Sequence, residues 1–176
     1  MKFTPLIISG AWLIEPEKIS DDRGFFARAF CEKEFVDHNI DFHFAQSNLS
    51  HCTNVGTIRG LHYQLAPHGE AKLMRCIQGE IFDVLVDLRP ESPTYLQSQG
   101  VQISAQDYQM IFIPQYCAHG YQALTDDAEV LYSVSSAYAP GAEKGIRWND
   151  PQFAINWPLS KDVILSEKDA NWPDFK

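Results

Sequence analysis

The chain has 176 residues and a mass of 20.0 kDa, enough for one ordinary domain spanning 1–176 with a sizeable core. Hydrophobic residues make up 45% and charged residues 21%, which excludes a disordered tail or a coiled coil. The 23 acidic and 14 basic residues give a net charge of −9, which argues against nucleic acid or an anionic membrane as the main partner. An anionic ligand would need a local cluster of Arg and Lys. No apolar run approaches the roughly 20 residues of a membrane span. Met1 leads into Lys2-Phe3-Thr4-Pro5 without the apolar stretch of a signal peptide, so a soluble, cytoplasmic protein is expected. Cys31, Cys52, Cys76 and Cys117 form no C-x-x-C pair, so small free thiols are expected rather than a zinc ribbon or disulfide framework.

In chain order, the first predicted element is a helix over Glu32–His38, with Phe35 and Val36 able to dock on a sheet. Strands follow at Thr57–Gln64 and Lys72–Ile77. In Ile81–Arg89, alternation sets Phe82, Val84, Val86 and Leu88 on one face and Asp83, Asp87 and Arg89 on the other, the pattern of a half-buried strand. Val101 with Ile103, then Ile111-Phe112-Ile113 closed by Pro114, then Val130, Tyr132 and Val134 continue the strand pattern. A second short helix is predicted at Ser166–Ala170. Turn signals such as Gln78-Gly79, Arg89-Pro90-Glu91-Ser92-Pro93 and Ala139-Pro140-Gly141 separate strands at intervals of about ten residues, the spacing of a sandwich or barrel. Strands do not alternate with long amphipathic helices, so a Rossmann or TIM architecture is disfavoured. The expectation is a single all-β domain, a jelly roll or closed barrel.

Several polar residues interrupt these strands. Arg59 and His62 would lie on opposite faces under strict alternation, unless a bulge at Gly60 turns both inward. Lys72 opens its strand, and His119 follows an apolar strand end. Singly, a strand His is most simply a hydrogen-bonded structural residue and a lone Arg a solvated face. Together, inward cations in a small barrel would be costly without a ligand to use them, and they point to an anionic one. Two chemistries compete. A metal site could draw on His62, His68, Glu70 and His119, but the H-x-H pair is absent, Gln64 standing at its second position, and Lys72 would repel a metal. Proton abstraction beside a carbonyl needs a base, an oxyanion stabiliser and a separate acid, and His62, Lys72 and Tyr132 match by residue type.

At these residues the chain resembles the dTDP-4-dehydrorhamnose 3,5-epimerase family over nearly its whole length. The matching stretches are Asp22-Arg23-Gly24-Phe25-Phe26, Gln46-Ser47-Asn48-Leu49-Ser50, Ile58-Arg59-Gly60-Leu61-His62-Tyr63-Gln64 and Lys72-Leu73-Met74-Arg75-Cys76. They continue through Pro114–Tyr121, Glu129–Tyr132, Ile146–Pro151 and Leu165–Asp169. The resemblance implies a cupin-type jelly roll (double-stranded β-helix) with a few short helices. It also implies a homodimer that works without metal or organic cofactor on a nucleotide diphosphate 4-keto-6-deoxyhexose. The implied reaction converts dTDP-4-dehydro-6-deoxy-D-glucose to dTDP-4-dehydro-L-rhamnose, for dTDP-rhamnose and polysaccharide biosynthesis.

Carried over by position, the resemblance makes His62 the base, Asp169 its orienting carboxylate, Lys72 the stabiliser of the enolate oxygen, His119 a further polar contact and Tyr132 the opposite-face acid. It gives Arg23, Gln46, Asn48 and Arg59 to the nucleotide diphosphate and base, makes Tyr138 a stacking aromatic, and adds Glu143 and Lys168 as ligand contacts. The strand carrying Arg23 would help build the neighbouring subunit's site. Arg28 stands where the family usually carries a carboxylate that seats the thymidine nucleotide. That exchange reverses charge and hydrogen-bond role and leaves the base open. Pro67-His68-Gly69-Glu70 resembles a subgroup variant that shapes the pocket. The alternatives are epimerisation at C3 or C5 alone, or ketoisomerisation, on a dTDP-, CDP- or GDP-sugar, and more remotely a metal-dependent cupin.

Overall fold

The computed structural model describes residues 1–176. Its strands are β1 (Lys2–Pro5), β2 (Trp12–Glu15), β3 (Lys18–Asp21), β4 (Gly24–Ala27), β5 (Gln46–Cys52), β6 (Ile58–Gln64), β7 (Lys72–Gln78), β8 (Glu80–Asp87), β9 (Ser98–Ser104), β10 (Met110–Ile113), β11 (Cys117–Ala123), β12 (Ala128–Val134) and β13 (Glu143–Gly145). Two short helices, α1 (Glu32–Val36) and α2 (Glu167–Ala170), complete it. A six-stranded sheet in the order β1-β2-β10-β7-β12-β5 faces a five-stranded sheet in the order β13-β6-β11-β8-β9, and β3-β4 forms a separate hairpin. All paired strands run antiparallel. This is the expected jelly roll. No helix is long and apolar enough to cross a membrane.

Register decides which side chains look inward. Residues directly opposite in a ladder share a face, as do residues two apart on one strand. On the six-stranded sheet, Val134 pairs with Gln46 and Lys72, and Tyr132 pairs with Asn48 and Met74. Along β7 the inward face passes from Lys72 to Met74 and Cys76, and along β12 from Tyr132 to Val130 and Ala128. Met74, Cys76, Val130 and Ala128 join Ile81, Leu85 and Ile103 of the opposite sheet in a 15-residue buried cluster. One end of the sandwich is therefore apolar and closed, and the other polar.

Strand β8 departs from the half-buried expectation. Asp83 and Asp87 are fully buried, at 0% exposure, on the inward face with Ile81 and Leu85. The outer face is also covered, because Val84 and Val86 pack beneath Phe153 and Trp157 of the C-terminal segment. Alternation of apolar and acidic residues marks here a buried side, whose carboxylates are met by His119 and by Arg89, Ser92 and Thr94, not a solvent-facing one. Helix α1 stops at Val36, and only Phe35 docks: it is buried against Ile14, Leu73 and Phe112, while Val36 is exposed. Cys52, Cys76 and Cys117 are buried free thiols and Cys31 is half-buried. Burial pushes Cys76 up to about 11 and Cys117 up to about 12, so neither is a ready thiolate.

Candidate active site

Gly60 makes the site possible. His119 pairs with His62, yet Tyr121 pairs with Arg59, so β6 spends one more residue than β11 between the two pairs. This is the bulge that brings Arg59 and His62 to one side. Gly60 has φ +127, and a Cβ there would lie 2.5 Å from the Gly120 Cα. Only glycine accommodates both that backbone conformation and that approach.

The polar end of the sandwich holds two adjoining cavities that share His62, Lys72 and Tyr132 as common walls. The outer one, about 310 Å³, is also lined by Gln46, Asn48, Gln64, Glu70, Tyr138 and Glu143. The inner one, about 170 Å³, is lined by Ser50, Arg59, His119, Tyr121 and Asp169. His62 reaches them from the five-stranded sheet, whereas Lys72 and Tyr132 reach them from the six-stranded sheet as diagonal neighbours.

His62 Nε2–H donates to Asp169 Oδ1 at 2.6 Å, which leaves Nδ1 with the free lone pair of a base. Ser166 caps α2 by accepting the Asp169 N–H at 3.0 Å, and this fixes the carboxylate. Burial acts to raise the Asp169 carboxyl. The imidazole and the Gly60 N–H outweigh it and hold the group below its usual range. Tyr132 is the reverse case. Burial, then the nearby Glu70 carboxylate, push its phenol above the ordinary value and keep it a neutral proton donor. His119 Nε2–H donates to Asp83 Oδ1 at 2.5 Å, while Asp83 Oδ2 has no partner. Burial pushes the Asp83 carboxyl up, against the pull of His119.

The inward cations are not in surplus. The Lys72 ammonium is paired with Glu70, and Lys168 donates to Glu143 at 2.6 Å. Arg59 has no carboxylate partner; its guanidinium donates to the His51 carbonyl at 2.8 Å and to Cys52 Sγ at 3.4 Å. Tyr138 donates to Glu143 at 2.7 Å, which places Lys168, Glu143 and Tyr138 in one chain at the cavity mouth. Asn48 sits within β5, hydrogen-bonded to Gln46 at 2.7 Å, rather than in a turn.

Lys168 reaches the cavity only through Glu143, and Arg23 and Arg28 lie away from it in the single chain. Arg23 occupies the turn of the β3-β4 hairpin, 89% exposed, with its guanidinium on Asp21. Arg28 follows that hairpin and pairs with Glu34 at 2.6 Å. The four metal-donor candidates do not assemble. His68 is exposed, Glu70 is taken by Lys72, and no group of three His, Cys, Asp or Glu side chains could hold a metal ion. Sequence reading missed Ser50, Tyr121 and Asp83 as lining or supporting groups. Their spacing of two from Asn48 and His119, and the pairing of Asp83 with Tyr121, is the signal that finds them.

The sequence profile of the family described as dTDP-4-dehydrorhamnose 3,5-epimerase matches residues 5–176. A dTDP-4-dehydrorhamnose 3,5-epimerase of Methanothermobacter thermautotrophicus is 44% identical, the match covering 99% of this chain and 95% of that protein. A crystal structure of dTDP-4-dehydrorhamnose 3,5-epimerase from Bacillus anthracis with TDP and PPi bound superposes with a TM-score of 0.94 at 38% identity, covering 99% of both chains. A 3'-monoepimerase from Streptomyces bikiniensis in complex with dTDP-quinovose superposes at 0.88 with 36% identity, covering 97% of this chain and 86% of the other.

Proposed function

The chain belongs to the dTDP-4-dehydrorhamnose 3,5-epimerase family, and from that premise we propose that residues 1–176 act as one catalytic unit. Its reaction inverts C3 and C5 of dTDP-4-dehydro-6-deoxy-D-glucose to give dTDP-4-dehydro-L-rhamnose. His62 Nδ1 takes the proton from a carbon beside the C4 ketone. The C–H electron pair becomes the C–C double bond of the enolate, and the carbonyl pair moves onto O4. An imidazole with an ordinary pKa of ~6.5 is a weak base for a carbon acid, so O4 needs a cation. The Lys72 ammonium supplies a charge-assisted hydrogen bond there, and His119 adds a second polar contact. Tyr132 then delivers its O–H proton to the other face of the carbon, and the ketone re-forms. The imidazolium and phenolate reset by proton exchange with solvent.

The observation that carries this reading is that His62 and Tyr132 enter one cavity from opposing sheets, with Lys72 beside the phenol. One group working from one face would restore the starting configuration, so inversion needs two. Gln46, Asn48, Tyr138, Glu143 and Lys168 are the proposed contacts of the nucleotide end, and Arg59 that of the diphosphate through its forked donors.

The proposal includes a homodimer. Ile19 and Phe26 on the hairpin are each 72% exposed, an apolar surface suited to a second copy. In that arrangement Arg23 and Arg28 would serve the partner's cavity instead of their own. Proton NMR of dTDP-, CDP- and GDP-linked 4-keto-6-deoxyhexoses incubated with the protein tests the reading. The expected result is inversion at both C3 and C5 of the dTDP-sugar. Inversion at one carbon alone would give a mono-epimerase, and no turnover of any of the three would remove the proposal.

A further inference from the structure

Glu70 lies two residues before Lys72, on the same inward face at the mouth of β7. Both side chains are largely covered, at 12% and 8% exposure, and the carboxylate grips the ammonium through Oε1. The second oxygen, Oε2, accepts from Gln64 Nε2 at 3.3 Å. Gln64 is itself buried, and its amide also donates to the His68 carbonyl at 3.1 Å and accepts from the Ala139 N–H at 2.7 Å. The carboxylate is thus anchored to the segment that carries Tyr138, and the flexible lysine is anchored to the carboxylate. A lysine ammonium has three rotatable donors on a four-carbon stem. Fixing one of them leaves the others with a defined direction into the cavity before any ligand arrives.

On the epimerase reading above, we propose that Glu70 is a positioning residue, which aims the Lys72 ammonium at the substrate ketone and sets the alkaline edge of the activity. The charged and titratable groups facing Lys72 and Tyr132 are Glu70 itself, Arg59, His62 and Tyr63 from β6, His119 and Tyr121 from β11, Tyr138 after β12, Glu143 from β13 and Asp169 from α2. Glu70 is the one that touches Lys72, and its negative charge also favours the protonated form of the Tyr132 phenol. Removing that charge lets the phenol lose its proton at lower pH and leaves the ammonium without its anchor.

The test compares wild type, Glu70→Gln and Glu70→Asp by the pH profile of kcat/KM, together with NMR relaxation of the Lys72 side chain in ligand-free protein. Glu70→Gln keeps the volume and the bond to Gln64 but loses the charge; it is expected to move the alkaline limb to lower pH by on the order of one unit and to loosen the Lys72 side chain. Glu70→Asp keeps the charge and is expected to stay close to wild type in both. A Glu70→Gln protein with the wild-type limb and wild-type order at Lys72 would overturn the proposal. A wild-type protein that turns over no keto sugar would instead remove the epimerase reading, and the order of the Lys72 side chain would then decide the tether alone.

Discussion

His62 and Tyr132 look at one another across a single cavity, the imidazole from β6 of the five-stranded sheet and the phenol from β12 of the six-stranded sheet. On the proposed mechanism a sugar ring held between them would present one face to each. The two walls come from strands about 70 positions apart in the chain (132 − 62), so the fold, not any local motif, creates the two-sided geometry.

Asp169→Asn is expected to fold normally, because the Ser166 cap uses the backbone N–H of residue 169. It removes the negative partner of His62, so the imidazole loses its preferred tautomer and the support for its charged form. A fall in kcat of roughly a hundredfold, the lower range of general acid–base contributions, is predicted with KM little changed. Steady-state kinetics check this, and a change confined to KM would count against the dyad.

Gly60→Ala is predicted to abolish soluble folded protein. The added carbon would sit 2.5 Å from Gly120 Cα and 2.8 Å from the His119 carbonyl, both backbone atoms of a central strand with nowhere to move. Expression and circular dichroism are the readout; a stable, active Gly60→Ala protein would show that the bulge is dispensable.

Arg59→Ala should raise KM about ten- to a hundredfold, the worth of one or two hydrogen bonds to a charged group, with kcat nearly intact. Arg59 has no carboxylate to leave unpaired, so stability should change little. Equal loss in kcat would move Arg59 from binding to chemistry.

Asp87 is one of the carboxylates that make stability depend on acid, and the one with a large downward shift. Burial acts to raise its carboxyl, but hydrogen bonds from Arg89, Ser92 and Thr94 outweigh it and lower the group from 3.8 to about 2. The folded state therefore holds the ionised form more tightly than the unfolded chain does. This contribution is complete above the ordinary carboxylate range near ~4 and disappears as pH falls through about 2. Thermal melts across that window should show a decline that is smaller in Asp87→Asn, a protein already less stable by on the order of 3 kcal/mol at neutral pH.

Strands with an apolar stripe, such as β7, β8 and β12, were legible in the sequence. Strand β5 was not: its inward residues Gln46, Asn48 and Ser50 face the cavities, so polar side chains stand where a stripe would be sought. Strands β1 to β4 have four residues each, too few to establish a period. Asp83 and Asp87 read as a solvent-facing stripe because alternation alone does not distinguish a buried polar network from water. His119 becomes a neighbour of Asp83 only in the folded chain, whereas Arg89, Ser92 and Thr94 lie close to Asp87 in sequence and need only the turn that wraps them around its carboxylate. The apparent excess of inward cations disappears once Glu70, two residues before Lys72 in the chain, is paired with it. The family motifs did name the cavity residues His62, Lys72, His119, Tyr132 and Asp169. They also named Arg23 and Arg28, which one chain leaves outside.

Two-sided proton transfer is decided by Tyr132→Phe incubated with dTDP-4-dehydro-6-deoxy-D-glucose in deuterated water and followed by proton NMR. Loss of the phenol should leave His62 able to exchange the C3 and C5 protons for deuterium, slowly and with configuration retained, while no dTDP-4-dehydro-L-rhamnose forms. If the variant inverts both carbons at the wild-type rate, Tyr132 is not the acid and the cavity does not work from two faces.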